Sequence, residues 1–188
     1  MAGIFLLFLV KGVLRYAAVV PLMACILMIA AWRQPDIVVA PGFKLAGVRG
    51  EDGALYVSSL RREEFVREKW ESNYGLQEGS ALGWPREGQA GPLNCDAAAC
   101  RAEINGKRVS FLKNPGVIDE ECRWAALVLA FSPVKKYGCG VPVIDKFTVY
   151  DQGAQAVWLN DSITVGNAEE VRGLRPWSSG NETFSGRS

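Results

Sequence analysis

The chain has 188 residues, with 21 Lys and Arg against 20 Asp and Glu for a net charge of +1. That balance excludes a globally basic nucleic-acid binder and an acidic tail, and the length suits one ordinary domain plus some extra. Histidine is absent, which removes serine–histidine triads, cysteine–histidine pairs and histidine-based zinc sites together.

Residues 1–33 are far more apolar than the rest. From Tyr16 to Trp32 the sequence YAAVVPLMACILMIAAW runs 17 residues without a charge, near the lower end of the roughly 17–25 that span a bilayer as a helix. Tyr16 and Trp32 stand at its ends, where amphipathic rings favour the headgroups, and Pro21 lies one turn in, where a membrane helix tolerates it. The earlier run Ile4 to Val10 is too short to span. Lys11 and Arg15 precede the segment, while Arg33 follows it with Asp36 three residues on. The cation count favours the N-terminus in the cytoplasm and the following domain outside, as a single-pass membrane protein. A long signal peptide, with Ile29-Ala30-Ala31 as a poor cleavage site, and a buried helix are the alternatives.

From Asp36 onward short alternating pieces replace the solid apolar run. DIVVA reads as a buried strand ending at Pro41-Gly42. FKLAGVRGEDGALYVSS reads as a hairpin turned at GEDG. SSLRREEFVREKWESNYG reads as a helix with Ser58 or Ser59 as its cap, Glu63 and Glu64 in its first turn, Gly75 at its end, and a partial apolar stripe of Phe65, Val66, Trp70 and Tyr74. Gln77 to Pro92 is rich in Gly and Pro and reads as a loop. RAEINGKRVSFLKN is a second hairpin, turned at Asn105-Gly106, and PGVIDEECRW is a short helix or loop. AALVLAF lacks helical period and predicts a strand covered on both faces. VPVIDKFTVYDQGAQAVWLNDSITV predicts a helix or turn and two strands meeting at Asn160-Asp161. The tail 178–188 is expected to be disordered.

Of the five cysteines, Cys25 lies in the apolar segment as a small packing residue. The others fall as Cys95-x4-Cys100 and Cys122-x16-Cys139. Disulfides, free structural thiols and a zinc site all remain open. A four-cysteine zinc site usually shows two close pairs, and only one is close here. In an oxidising compartment the local pairing is the simplest. A catalytic thiol lacks a base: only Arg101 and Arg123 are adjacent cations. Asp119, Glu120 and Glu121 can bind a cation or share a proton, but acids in that position usually sit in solvent and favour a helix N-terminus. The cations that bear on nucleic acid are Lys107, Arg108, Lys113, Lys135 and Lys136. Of these, Lys107, Arg108, Lys135 and Lys136 with Tyr137 are the candidate contacts for a single strand, which wants cations interleaved with aromatics. Scattered lysines on a near-neutral domain more commonly form a solvated face.

The order of RQPDIVVAPGFKLAGVRGEDGALYVSS, FVREKW, CDAAACRAEINGKRVSFLKNP, CRWAALVLAF, CGVPVIDKFTVYDQGAQAVWL and GLRPW resembles the C-terminal end of ComEC-family competence proteins, over about residues 16–177. Those proteins are inner-membrane channels for transforming single-stranded DNA, with a metallo-β-lactamase-like domain after the membrane part. The resemblance implies an α/β (α+β) fold: one N-terminal transmembrane helix in segment 1–33, then a reduced, degenerate metallo-β-lactamase-like sandwich over 36–177. Asp145 in VIDKF resembles an aspartate of the family's IDR pattern and is equally suited to capping the next turn. Two departures stand out. Only the channel's last helix is represented, as in a truncated or split reading frame, and the His-x-His-x-Asp-His metal motif is missing, so a two-metal clamp cannot form. The implied function is a non-catalytic domain of the DNA-uptake channel, single-pass in the inner (plasma) membrane with its C-terminal domain periplasmic, scaffolding the channel or guiding single-stranded DNA, without cofactor or metal. Its implied partners are single-stranded DNA, the remainder of the channel (same or separate chain) and the membrane. The alternatives are a residual hydrolase using metal held by Asp119 or Asp145, and a periplasmic protein-interaction domain unrelated to DNA.

Overall fold

The computed structural model describes residues 19–31, 33–134 and 138–173. The chain divides into two compact units at Gln34/Pro35. In the first, α1 covers Val19–Ala31, 13 residues without a charged side chain. At 1.5 Å per residue it is about 20 Å long, against the roughly 30 Å hydrocarbon core of a bilayer. Among the described residues no helix is long and apolar enough to cross a membrane; Tyr16 and Trp32, the expected ends of the span, lie outside them.

The second unit is mixed α/β with two six-stranded sheets. One runs β12-β11-β1-β2-β3-β4, with β1 Ile37–Val39, β2 Ala46–Arg49, β3 Leu55–Val57, β4 Leu82–Gly83, β11 Gln155–Leu159 and β12 Ile163–Asn167. The other runs β10-β9-β8-β7-β6-β5, with β5 Gly88–Ala90, β6 Leu93–Cys95, β7 Ala99–Ile104, β8 Lys107–Leu112, β9 Leu127–Ala130 and β10 Val143–Ile144. Among the described residues four α-helices accompany them: α2 Glu64–Asn73, α3 Ile118–Trp124, α4 Lys146–Gln152 and α5 Ala168–Arg172.

Alternation along the strands explains the layers, because successive side chains point to opposite faces. Ile37, Val39, Val48, Tyr56 and Val157 of the first sheet share one core with Leu93, Val109, Phe111, Leu127 and Leu129 of the second. The opposite faces are covered by helices. Val66 and Trp70 of α2, with Tyr74 at its C-cap, pack on Leu55 and Val57, and Ile118, Cys122 and Trp124 of α3 pack on Leu112, Val128 and Ala130. The layers are thus helix, sheet, sheet, helix. The predicted two-sided burial of AALVLAF is observed: β9 is buried at every residue and lies between β8 and β10, parallel to both. Both hairpins form, and the second turns through Asn105 at φ 50° and Gly106 at φ 71°, the left-handed pair that a tight hairpin needs.

Three sequence readings are corrected. Neither Ser58 nor Ser59 caps α2, which starts later, after Glu63 in a left-handed conformation at φ 51°. Ser58 Oγ accepts instead from Ala46 N–H, and Ser59 Oγ from the N–H groups of Arg61 and Arg62. Phe65 leaves the apolar stripe and is 69% exposed, with Lys69 Nζ 5.3 Å from its ring centre. Gln77–Pro92 is only partly loop. Glu71, fully buried in α2, accepts from Gly79 N–H and Ala81 N–H at 2.9 Å each, and this anchors the chain as it enters β4 and β5. The backbone ladder there overrode the Gly and Pro content.

Candidate functional site

One end of the sandwich opens into a cleft of about 720 Å³. It collects the turns that follow β1, β3, β4, β6, β8, β9 and β10, so residues far apart in sequence meet there. Lys44, Arg62, Arg86, Lys113 and Lys146 line it, and no carboxylate does among the described residues. Among the described residues only Lys44 of these has an ion-pair partner, Glu63 at 3.1 Å. Arg62, Arg86 and Lys146 are exposed and make no ion pair among the described residues. With low-dielectric walls and charge of one sign, such a cleft focuses potential and attracts anions.

The floor is aromatic. Phe131 meets Phe43 edge-on at 5.0 Å and Trp84 at 5.9 Å, and Trp84 meets Phe111 at 4.7 Å. Phe43 is held at φ 57°, directly after Gly42 at φ 66°. A bulky residue there costs of order 1–3 kcal/mol and persists only where its surroundings fix it. Here they do: Phe43 N–H donates to Ala40 O at 3.0 Å, and the ring is buried against Phe131. Trp84 donates its backbone N–H to Val57 O, while its indole Nε1 is buried without a hydrogen-bond partner among the described residues.

A stapled turn builds one wall. Cys95 and Cys100 face each other across β6 and β7 and are disulfide-bonded, with Cα atoms 3.9 Å apart. Inside that turn Asp96 accepts from Ala98 N–H and Ala99 N–H at 2.7 Å each and from Arg101 Nη1 at 2.8 Å. The Ala99 N–H, with the Ala98 N–H and the Arg101 guanidinium, outweighs partial burial and holds the Asp96 carboxyl below the usual range. Arg101 also forks onto both oxygens of Glu121 in α3. That fork is the first cause of the Arg101 pKa lying above its ordinary value. Lys113 spans the wall: its Nζ donates to Arg86 O and Asp96 O at 2.9 Å each, and its backbone N–H to Ala98 O.

On the other side Asp145, 1% exposed, caps α4 by accepting from Thr148 N–H at 3.0 Å and Thr148 Oγ1 at 2.7 Å. This fixes Lys146 at the cleft.

The second expected disulfide, Cys122–Cys139, is also present, and Cys25 is free. Of the nucleic-acid candidates, Lys107 and Arg108 sit at the other end of β8, roughly 20 Å of strand from Lys113. As neighbours on a strand they point to opposite faces, and Arg108 lies over the Trp124 ring at 5.5 Å. The structure therefore brings them neither to each other nor to the cleft. Lys135, Lys136 and Tyr137 lie outside the described residues. The acidic run divides: Asp119 and Glu120 are exposed as expected, whereas Glu121 is 1% exposed and paired with Arg101. No group of three or more Cys, Asp or Glu among the described residues is placed to hold a metal ion.

Sequence reading missed Lys44, Arg62, Arg86 and Lys146. The signal was positional: each cation follows a strand end or turn at the same end of the sandwich, next to Pro41-Gly42, Ser58-Ser59, Pro85 or Asp145.

No protein-family model matches the chain, and no curated protein and no solved structure matches it significantly.

Proposed function

We propose that this chain is a non-catalytic, membrane-anchored domain of a DNA-uptake channel and that its cleft guides single-stranded DNA at the inner membrane. The observation that carries this reading is the cleft: five cations over an aromatic floor, with no lining carboxylate among the described residues. A polyanion threaded through it would meet attraction from every side. The volume lies within the range of ligand sites and suits a short stretch of strand. The helix–sheet–sheet–helix order is in keeping with the reduced metallo-β-lactamase-like sandwich of the resemblance. The apolar segment supports anchoring, and two disulfides suit an oxidising compartment such as the periplasm. The buried, hydrogen-bonded Asp145 acts as a helix cap, which argues against the residual hydrolase.

The test is fluorescence anisotropy of a labelled oligothymidylate with the detergent-solubilised full chain, across a salt series. The expected result is binding that weakens with salt, the slope falling by roughly 0.7 for each phosphate contact removed in Arg86→Glu and Lys146→Glu. Salt-insensitive binding, or no binding, sinks the reading. Metal-dependent cleavage of the oligomer, lost on changing Asp119 or Asp145, would replace it with the hydrolase.

A further inference from the structure

We infer that α4 extends the cleft into a base-stacking platform, in which Phe147 and Tyr150 receive bases of the strand whose phosphates lie in the cleft; this rests on the reading just given. Phe147 is 61% and Tyr150 68% exposed. Three apart on a helix, they share one face. The helix is rigidly seated. Val149 is buried in the core, Asp145 and Thr148 lock its first turn, and it packs on the Pro41–Phe43 turn of the cleft. Lys146, directly before Phe147, lines the cleft.

The cleft itself offers bases little. Phe43 is buried, and Trp84 and Phe131 are half-buried with their rings committed to edge-on contacts. Single-strand binding joins a basic track with open aromatic faces, since every base has a π-face. The cleft supplies the first and α4 the second. Lys146 lines the cleft and lies one helical turn from Tyr150. The α4 aromatics thus adjoin a wall in which Arg62, Arg86 and Lys146 make no ion pair among the described residues, and this selects a polyanion carrying flat rings.

The experiment compares a labelled oligothymidylate with an abasic oligomer of equal length on the full chain in detergent, using wild type and a Phe147→Ala/Tyr150→Ala variant. Wild type is expected to prefer the base-bearing strand by roughly five- to hundredfold. The variant should bind both oligomers at the abasic level, with an unchanged salt slope. Hydroxyl-radical footprinting should show Phe147 and Tyr150 protected by oligothymidylate but not by the abasic oligomer. A variant that keeps the wild-type preference overturns the inference while leaving the cleft reading intact. So does protection that arises on transfer to phosphatidylglycerol-containing vesicles without oligomer, which would make the pair a membrane contact. If wild type binds neither oligomer, the cleft reading fails and takes the platform with it.

Discussion

The β7–β8 hairpin carries cations at both ends, and the two ends behave as different surfaces. At the turn end Lys107 and Arg108 diverge to opposite faces, Arg108 covers Trp124, and Asn105 ties the turn back through Nδ2 to Leu159 O at 3.0 Å and Asp36 Oδ1 at 3.2 Å. At the open end Lys113 stands among four further cations from other turns. The lesson is that a charge becomes a site through what converges on it. Runs of charge along the strand say little.

Removing the buried partner at the open end should be the most damaging change. Glu121→Ala removes a buried carboxylate and its hydrogen bonds from Arg101. Because Arg101 is a third exposed and keeps Asp96 as a partner, the cost lies at the low end for a broken buried pair, about 3 kcal/mol. Asn105→Ala, at the closed end, loses two hydrogen bonds and places Ala in a left-handed conformation, for about 1–2 kcal/mol. Urea unfolding of both variants checks the order. Equal midpoints would mean that the Arg101 network does not hold the stapled turn.

The disulfides sharpen the contrast in another way. Cys122 and Cys139 are 17 residues apart and Cys95 and Cys100 only 5. By the chain-entropy model the first bond contributes about 3 kcal/mol and the second about 2. Paired Ser variants should therefore rank in that order in thermal unfolding but in reverse in oligonucleotide binding, because only Cys95–Cys100 closes the turn that receives Lys113. Loss of binding in the Cys122→Ser/Cys139→Ser variant alone would refute that link.

Charge reversal at the two ends comes next. Arg86→Glu with Lys146→Glu is expected to weaken oligothymidylate binding about tenfold or more, roughly 1.4 kcal/mol. Lys107→Glu with Arg108→Glu should change it by about twofold or less. The opposite ranking in anisotropy titrations would move the binding face to the turn end.

Much of this fold was legible, and the reason differs by element. β9 was plain because seven apolar residues in a row leave no polar face, and the Asn105-Gly106 turn because few other pairs accept two left-handed residues. The start of α2 was not. Glu63 adopts a left-handed cap that its type does not announce, and Ser58 and Ser59 were drawn to other N–H groups. Both disulfides take the local pairing, the simplest of the alternatives that the cysteine spacing left open. The cleft did not, because its five cations come from five separate turns, from Lys44 to Lys146, and meet only when the two sheets stack. Glu121 was read with Asp119 and Glu120 as one acidic run in solvent at a helix N-terminus, but one helical turn decides which of three adjacent acids is buried.

The smallest expected effect lies in the pH dependence of the stapled turn. Asp96 is ionised and bonded to Ala98, Ala99 and Arg101, which keeps its pKa below the ordinary value of about 3.9. A depressed native pKa means that the folded chain releases this proton more readily than the unfolded one. The stabilisation is therefore complete above about pH 3.9 and is lost as the pH falls through the native value. Because the side chain is 47% exposed, solvent weakens the gain. In Asp96→Asn the amide oxygen can still accept from Ala98 and Ala99, so the turn should persist while the acid-dependent step disappears. Amide exchange of Ala98 and Ala99 between pH 5 and 2 reads this directly, after correction for intrinsic exchange. Protection that falls with acid in wild type but not in Asp96→Asn assigns the step to Asp96, and parallel profiles would place it on another carboxylate.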